Sequence, residues 1–219
     1  MNRPGAPKPS AIYAIADAEA LAPRSLAEGA LAIADAGNST IQLRAKALDD
    51  ASLFREAERC VRGLEGWSGS LWIDDRVDLA KLLGFDGVHL GQADLAPSVA
   101  RRLLPGSRRI GASTHDLAQF GSALADPAVD WLAFGPIFAT RSKSNLDPVV
   151  GLEGLAGVAK FRAGREPVQR KPLIAIGGID ARNLPRVIAA GADSAAVISA
   201  ICVGDIAFNC RHLLAALAA

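Results

Sequence analysis

The chain has 219 residues, and 24 Lys and Arg against 23 Asp and Glu give a formal net charge of +1. Hydrophobic residues make up 50% and charged residues 21%, which is typical of a folded globular protein and excludes disorder as the main state. The near-zero charge gives no broad electrostatic attraction for nucleic acid or for an anionic membrane.

Three cysteines, Cys60, Cys202 and Cys210, are few, odd in number and without a CxxC spacing. This pattern predicts a reducing compartment and buried, inert thiols; a pair or metal site of Cys202 and Cys210 is the alternative. No apolar run is long enough to span a bilayer, and the Pro-containing residues 1–10 do not form a signal peptide. We therefore expect a cytoplasmic protein with a short flexible lead-in over residues 1–10.

Short apolar runs alternate with Ala- and Leu-rich helical stretches along the chain. The runs predict eight strands: Ala11–Ala16, Thr40–Leu43, Ser70–Ile73, Gly87–Leu90, Arg109–Ala112, Trp131–Phe134, Leu173–Ile176 and Ser194–Ile198. The stretches predict eight helices: Leu26–Ala36, Ser52–Leu64, Val77–Leu83, Pro97–Leu104, Asp116–Ala125, Leu152–Phe161, Ala181–Ala190 and Ile206–Ala218. A long loop is predicted over residues 135–150.

The order of these elements predicts the fold. Several of the strands are apolar throughout, as in parallel sheets that helices cover on their outer face. Eight strand-then-helix units in this length predict an α/β protein, a single TIM (β/α)8 barrel over residues 11–219. The alternative is an open doubly wound sheet, but no GxGxxG motif follows the first strand.

Chemistry in such a barrel is located at the C-terminal ends of the strands. Polar residues or glycines follow seven of the predicted strands: Gln42 to Lys46, Asp74 to Arg76, Gly91 to Asp94, Ser113 to His115, Thr140 to Lys143, Gly177-Gly178 and Ser199. Each motif alone also fits a helix cap, a tight turn or a solvated charge, so it is their joint placement that favours a site.

Two kinds of phosphate site are indicated. Asp75 and Asp94, without a Cys or His companion, suit Mg²⁺, which prefers oxygen ligands and shares them with substrate phosphates. Arg44, Lys46 and Lys143 can surround a diphosphate. Gly177-Gly178 and the Ile198-Ser199 turn form the phosphate cradle expected after strands seven and eight. Together these residues predict a transferase whose leaving group is diphosphate.

The same regions resemble the thiamine-phosphate synthase family. The similarity runs from about Tyr13 to Ile201 through eight stretches: Ile41–Lys46, Asp75–Ala80, Asp86–Asp94, Gly111–His115, Phe134–Thr140, Gly151–Leu155, Ala175–Ile179 and Ala196–Ile201. That family joins hydroxymethylpyrimidine diphosphate to thiazole phosphate and releases diphosphate, with Mg²⁺ as cofactor. The resemblance implies that these two small molecules are the partners, and it leaves a homo-oligomer open.

The resemblance also implies roles for individual residues. The pyrimidine diphosphate would be held by Gln42, Arg44, Lys46 and Lys143, Mg²⁺ by Asp75 and Asp94, and the thiazole phosphate by Thr140, Ser142, Gly178, Ile198 and Ser199. Ser113 would contact the pyrimidine or its leaving group. Among these, the expected catalytic residues are Arg44, Lys46, Ser113 and Lys143.

Asp74 departs from the family, which usually has Asn at this position. An ionised Asp accepts hydrogen bonds but cannot donate one to a diphosphate, so Asp74 would repel this group unless it is protonated or metal-bound. If Asp74 lines the site, we expect Asp74→Asn to lower the KM for the pyrimidine diphosphate. The alternative is that Asp74 points away from the site, because adjacent strand residues face opposite sides.

Two other functions are left open. A sister family, thiazole tautomerase, shares the fold and would use a His near the end of strand five, a role that His115 can fill. A barrel that binds thiamine precursors without catalysis is the second, with Asp74 as its best support. Arg44, Lys46, Asp75, Asp94 and Lys143 argue against both alternatives.

Overall fold

Eight parallel strands close into a barrel in the computed structural model, which describes residues 9–140 and 147–217. Each strand pairs with the next one in the chain, and the last pairs with the first. The strands are β1 Ile12–Asp17, β2 Thr40–Arg44, β3 Ser70–Asp74, β4 Gly87–Leu90, β5 Arg109–Thr114, β6 Trp131–Phe134, β7 Leu173–Ile176 and β8 Ser194–Val197. The predicted TIM barrel is confirmed, and the open sheet is excluded.

Helices surround the barrel on its outside. They are α1 Ala18–Leu21, α2 Leu26–Asp35, α3 Asp50–Gly63, α4 Val77–Leu83, α5 Pro97–Leu103, α6 Leu117–Ala125, α7 Gly151–Ala163, α8 Leu184–Ala189, α9 Ser199–Cys202 and α10 Ile206–Ala216. A short 3-10 helix, Pro167–Gln169, precedes β7. Within the described ranges, no helix has the length and apolar character needed to cross a membrane.

Four strands continue further than their apolar patterns predict. The extensions end on Asp17, Arg44, Asp74 and Thr114. The hydrophobic pattern fades where a strand leaves the core, so polar residues that still belong to the strand are missed. These extra residues carry the strands up to the C-terminal end of the barrel, which we call the mouth.

Three short elements were not predicted, and the helix boundaries differ from the predicted ones, most of all at the start of α8. Helices α1 and α9 and the 3-10 helix have only three or four residues, too few for a periodic pattern. Helix α8 begins at Leu184 and not at Ala181. The Asp180 carboxylate accepts hydrogen bonds from the N–H groups of Arg182 and Asn183, which holds the intervening residues in a turn.

Three aromatic rings fill the interior of the barrel below the mouth. The Trp72 and Trp131 rings are stacked with centroids 4.2 Å apart, and the Tyr13 ring meets each of them edge-on at 6.1 Å. Gly87 leaves the room for this stack, because a Cβ there would lie 2.6 Å from the Trp72 ring. The rings therefore form a closed floor under the polar residues of the mouth.

The opposite end of the barrel repeats one local device three times. An aspartate directly precedes β4, β6 and β8, and its carboxylate accepts the N–H of the preceding strand at 2.8 Å. The three donor and acceptor pairs are Leu71 with Asp86, Ile110 with Asp130, and Leu173 with Asp193. We call Asp86, Asp130 and Asp193 the aspartate clasps; they join β4, β6 and β8 to the strand before each, far from the mouth.

Candidate active site

Two adjoining cavities open at the mouth. The charged compartment, about 540 Å³, is lined by eight of the predicted site residues: Gln42, Arg44, Lys46, Asp74, Asp75, Asp94, Ser113 and Ile198. The glycine compartment, about 210 Å³, contains Thr140, Gly178 and Ser199. Asp147, Ile176, Ala196 and Ile198 line both cavities, so the compartments share a wall. Ser142 and Lys143 lie outside the described residues.

Arg44 is held in place by Asp17, a residue that sequence reasoning missed. Asp17 is buried, and its carboxylate forms an ion pair with the Arg44 guanidinium. The other oxygen of that carboxylate accepts the N–H of Ala20 at 3.0 Å and so caps α1. A single buried aspartate thus links the end of β1 to the cation on β2. Asp17 could have been identified from the sequence, because it directly follows the apolar run of the first predicted strand.

Asp74 points into the charged compartment, so the expectation that it turns away is wrong. It is the last residue of β3 and has the same strand parity as Trp72, whose ring lies inside the barrel. Asp75 then adopts a positive φ of 60°. This left-handed backbone breaks the alternation of the strand, so the side chains of both aspartates line the cavity.

Asp75 and Asp94 come together as predicted. Burial, together with a hydrogen bond between the two carboxyl groups, raises the pKa of Asp75. Burial opposes ionisation of Asp94 too, but its bonds to Asp75 and to the Gly91 N–H, at 2.7 Å, lower its pKa. Lys46 also pairs with Asp75. Two carboxyl groups that share a proton beside a lysine form a place where a cation can replace that proton.

Lys46 has its own shifted titration. Burial of its amine works against the charge, but the hydrogen bond to Asp75 and the charges of Asp74, Asp75 and Asp94 raise the pKa of Lys46. The ammonium therefore stays charged at neutral pH. Among the described residues, no group of three or more His, Cys, Asp or Glu is placed to hold a metal ion by itself.

Ser113 is oriented by His89, which contacts its hydroxyl, and by Gln92, which contacts its carbonyl. The His89 Nε2 lies 2.9 Å from the Ser113 Oγ, and the Gln92 amide donates to the Ser113 carbonyl at 2.6 Å. The His89 ring fits only because residue 111 is glycine, since a Cβ there would lie 2.5 Å from its Nδ1. The contact between His89 and Ser113 was not predicted from the sequence.

Gln42 lies on the floor of the same compartment. It is buried, and its amide nitrogen donates to the Tyr13 hydroxyl at 3.1 Å. Burial, together with the Asp74 charge, raises the pKa of Tyr13. The neutral Tyr13 hydroxyl therefore fixes the position of the Gln42 amide inside the barrel.

The glycine compartment depends on two glycines after β7. Gly177 and Gly178 have φ values of 106° and 61°, and a Cβ at either would lie 2.6 Å from the neighbouring loop, at Pro136 and at the Ala139 carbonyl. Only glycine satisfies both conditions. Across the cavity Ser199 begins α9, whose first N–H groups have no partner within the helix.

His115 belongs to the glycine compartment as well. Its Nδ1 lies 2.7 Å from the Gly135 carbonyl and 3.5 Å from the Asp147 carboxylate. Because a carbonyl oxygen only accepts hydrogen bonds, Nδ1 carries the proton, and Nε2 of the neutral ring is left as an acceptor. Asp147, on the wall between the compartments, is a further residue that sequence reasoning missed.

Comparison with known proteins agrees with this geometry. A family model described as thiamine monophosphate synthase matches residues 12–201. Thiamine-phosphate synthases from Koribacter versatilis and Methanoregula boonei are each 42% identical, over 88% and 87% of this chain and 89% and 84% of their own. The solved thiamine phosphate pyrophosphorylase from Pyrococcus furiosus has a TM-score of 0.81 at 27% identity, covering 95% of this chain and 96% of that one. The chain belongs to the thiamine monophosphate synthase family.

Proposed function

We propose that this chain is a thiamine-phosphate synthase that joins hydroxymethylpyrimidine diphosphate to thiazole phosphate and releases diphosphate. The observation that carries the proposal is the shared wall of the two compartments. One compartment presents cations and paired carboxylates, and the other presents glycine backbone and a helix start. Two phosphorylated substrates placed in them would meet at Ile176, Ala196 and Ile198.

Mg²⁺ is the cofactor in this proposal, and the donor set fits it. Asp75 and Asp94 offer carboxylate oxygens within hydrogen-bonding reach of each other, and the substrate phosphates would supply further oxygens. The sulfur and nitrogen ligands that favour zinc are absent from this pair. When bound, Mg²⁺ would neutralise negative charge on the diphosphate.

The leaving group is stabilised by this chain's own cations. The bond between the pyrimidine CH₂ carbon and the diphosphate oxygen breaks, and its electron pair departs with the diphosphate. Arg44 and Lys46, with Lys143 from the undescribed segment, stabilise the developing charge. The aminopyrimidine ring delocalises the cation left behind. Ser113, oriented by His89, contacts the pyrimidine or the leaving group, and Gln42 holds the ring from below.

The new bond forms from the thiazole nitrogen to the same CH₂ carbon. That nitrogen carries no proton, so the step requires no general base. Thr140, Gly178 and Ser199, with Ile198 on the shared wall, hold the thiazole phosphate in the glycine compartment, and Ser142 remains an expectation from the sequence. Fixing both substrates in one pocket lowers the entropic part of the barrier.

The proposal includes a cytoplasmic location. The three cysteines are free and buried in the structure, which agrees with a reducing compartment. Cys202 and Cys210 are both free thiols, so the alternative in which they form a disulfide does not apply to this structure.

Diphosphate release tests the proposed function. The protein is mixed with both substrates and Mg²⁺, inorganic diphosphate is measured, and thiamine phosphate is identified by mass spectrometry. We expect release only when all three are present, and a rate at least about 100-fold lower in Asp75→Ala. Asp78→Ala is the matched control, because Asp78 is exposed, pairs with Arg76 and lines neither the charged nor the glycine compartment. No release from intact substrates would reject the synthase.

A thiazole tautomerase is the second candidate because the His115 ring lines the glycine compartment. It would move a proton on the thiazole phosphate without any pyrimidine substrate. Two results together would favour the tautomerase. The protein would release no diphosphate, and it would exchange deuterium into the thiazole phosphate in a reaction that His115→Gln abolishes. Diphosphate release that is unaffected in His115→Gln would reject this candidate, and any turnover would reject a purely binding protein.

A further inference from the structure

Asp74 occupies a position between the two described cations of the charged compartment. The same carboxylate oxygen, Oδ2, is 3.5 Å from the Arg44 Nε and 3.5 Å from the Lys46 Nζ. The Asp74 side chain is only 14% exposed, so water screens these attractions weakly. One acidic oxygen therefore already lies where an oxygen of a bound anion would meet both cations.

The charge balance of the compartment makes this contact important. Its described lining carries two cations, Arg44 and Lys46. It carries five carboxylates: Glu19, Asp74, Asp75, Asp94 and Asp147. A diphosphate brings further negative charge and must take Arg44 and Lys46 away from the carboxylates that now pair with them. Among these five carboxylates of the described lining, only Asp74 lies within 4 Å of both cations.

We propose that Asp74 is a specificity-determining residue that competes with the diphosphate group for Arg44 and Lys46. The inference rests on the proposed function, because it assigns these cations to the diphosphate. An ionised carboxylate accepts hydrogen bonds and repels the anion, whereas an amide of the same shape can donate to it. Asp74 therefore weakens the binding of the diphosphate group to this site.

Competition by Asp74 affects the binding of the substrate and of the released diphosphate differently. The substrate also contacts the site through its pyrimidine ring, which Gln42 and Ser113 face. The released diphosphate binds through its charged oxygens alone. Competition by Asp74 thus makes the site bind the free product weakly and release it readily, and it also raises the KM for the substrate.

Calorimetric titration with inorganic diphosphate and Mg²⁺ tests the competition without turnover. We expect Asp74→Asn to bind diphosphate about ten-fold more tightly than the unmodified chain, because a repelling acceptor becomes a donor to a charged group. Asp74→Ala, which only removes the competitor, should bind more tightly than the unmodified chain but less tightly than Asp74→Asn. Inhibition of the synthase by diphosphate should strengthen in the same order.

Glu19→Gln is the matched control. It removes one negative charge from the exposed rim of the same cavity, and we expect diphosphate affinity to change by less than two-fold. An equal gain in Glu19→Gln would show that total charge matters and not the contact of Asp74. Equal affinities for the unmodified chain and Asp74→Asn would overturn the role of Asp74 alone. Absence of diphosphate binding in every variant would reject the diphosphate site itself, and with it the proposed function.

Discussion

At the scale of single residues, glycine positions decide where functional side chains can lie. Gly111 on β5 leaves the space in which the His89 ring reaches Ser113, and Gly87 on β4 leaves the space for the Trp72 ring. In both strands, the absence of a side chain at the glycine leaves room for a ring from the neighbouring strand. The first supports the site, and the second supports the floor beneath it.

Gly111→Ala should therefore damage catalysis more than stability. The added Cβ would meet the His89 Nδ1 at 2.5 Å, so the ring must move and its bond to Ser113 breaks. We expect kcat/KM for the pyrimidine diphosphate to fall by about ten-fold or more, because the hydroxyl loses its fixed orientation. Steady-state kinetics and thermal unfolding measured on the same preparation separate the two effects.

Gly157→Ala provides the comparison for this substitution. Gly157 is exposed within α7, and a Cβ there meets no atom within 4 Å. Alanine should leave turnover unchanged and raise the free energy of unfolding by about 0.5–1 kcal/mol. If Gly111→Ala behaved in the same way, the His89–Ser113 bond would have no part in catalysis.

At the scale of elements, the aspartate clasps hold strand pairs together at the end opposite the mouth. Asp130 is the most enclosed, with its carboxylate 14% exposed and paired with Arg101, which is 16% exposed. Asp86 is 46% exposed, and its nearest arginine nitrogen, on Arg108, is 3.8 Å away. The same local device is thus buried to different degrees around the barrel.

This difference predicts a graded loss of stability. Asp130→Ala removes the acceptor of the Ile110 N–H and the carboxylate partner of Arg101, whose guanidinium then keeps only the carbonyls of Arg108 and Ala128. We expect the free energy of unfolding to fall by about 3 kcal/mol. Asp86→Ala should cost about 1 kcal/mol, because water can reach the groups it leaves behind. Denaturant unfolding measures both values; equal losses would show that burial of the clasp is unimportant. Turnover at saturating substrate should stay the same in both variants.

At the scale of the whole molecule, the helical layer seals the outside of the barrel. Cys60 in α3, Cys202 in α9 and Cys210 in α10 are all fully buried in this layer. Burial raises the pKa of Cys60 to about 12 and that of Cys202 to about 11, and it also raises the pKa of Cys210. The thiolate is the reactive form of cysteine. All three thiols are therefore unreactive for two reasons: burial blocks access of reagents, and the raised pKa keeps the sulfur protonated.

Thiol labelling consequently reports on the integrity of the layer. With an aromatic disulfide reagent at pH 8, we expect no reactive thiol per chain in the native protein and three in denaturant. The rate of labelling should follow the opening of the helical layer, because exposure restores the ordinary pKa of each thiol. A native thiol that reacts as fast as free cysteine would contradict the sealed packing of its helix.

The sequence by itself determined the number and order of the strands, because each is a short apolar run bounded by turn residues. It also placed Asp75, Asp94 and Gly177-Gly178 at the mouth, since the C-terminal ends of parallel strands share one edge. Relationships between distant residues could not be derived this way. The pairing of Asp17 with Arg44 and of His89 with Ser113 depends on the closure and register of the barrel.

Only the tertiary structure decided that Asp74 and Asp75 face the same cavity. Strand alternation alone puts residues 74 and 75 on opposite faces, but the left-handed backbone of Asp75 directs both into one cavity. Such a backbone conformation is strained for a residue with a Cβ, and no local sequence pattern announces it. The Asp75 N–H donates to the His89 carbonyl of the neighbouring strand at 2.8 Å, a contact that exists only in the closed barrel.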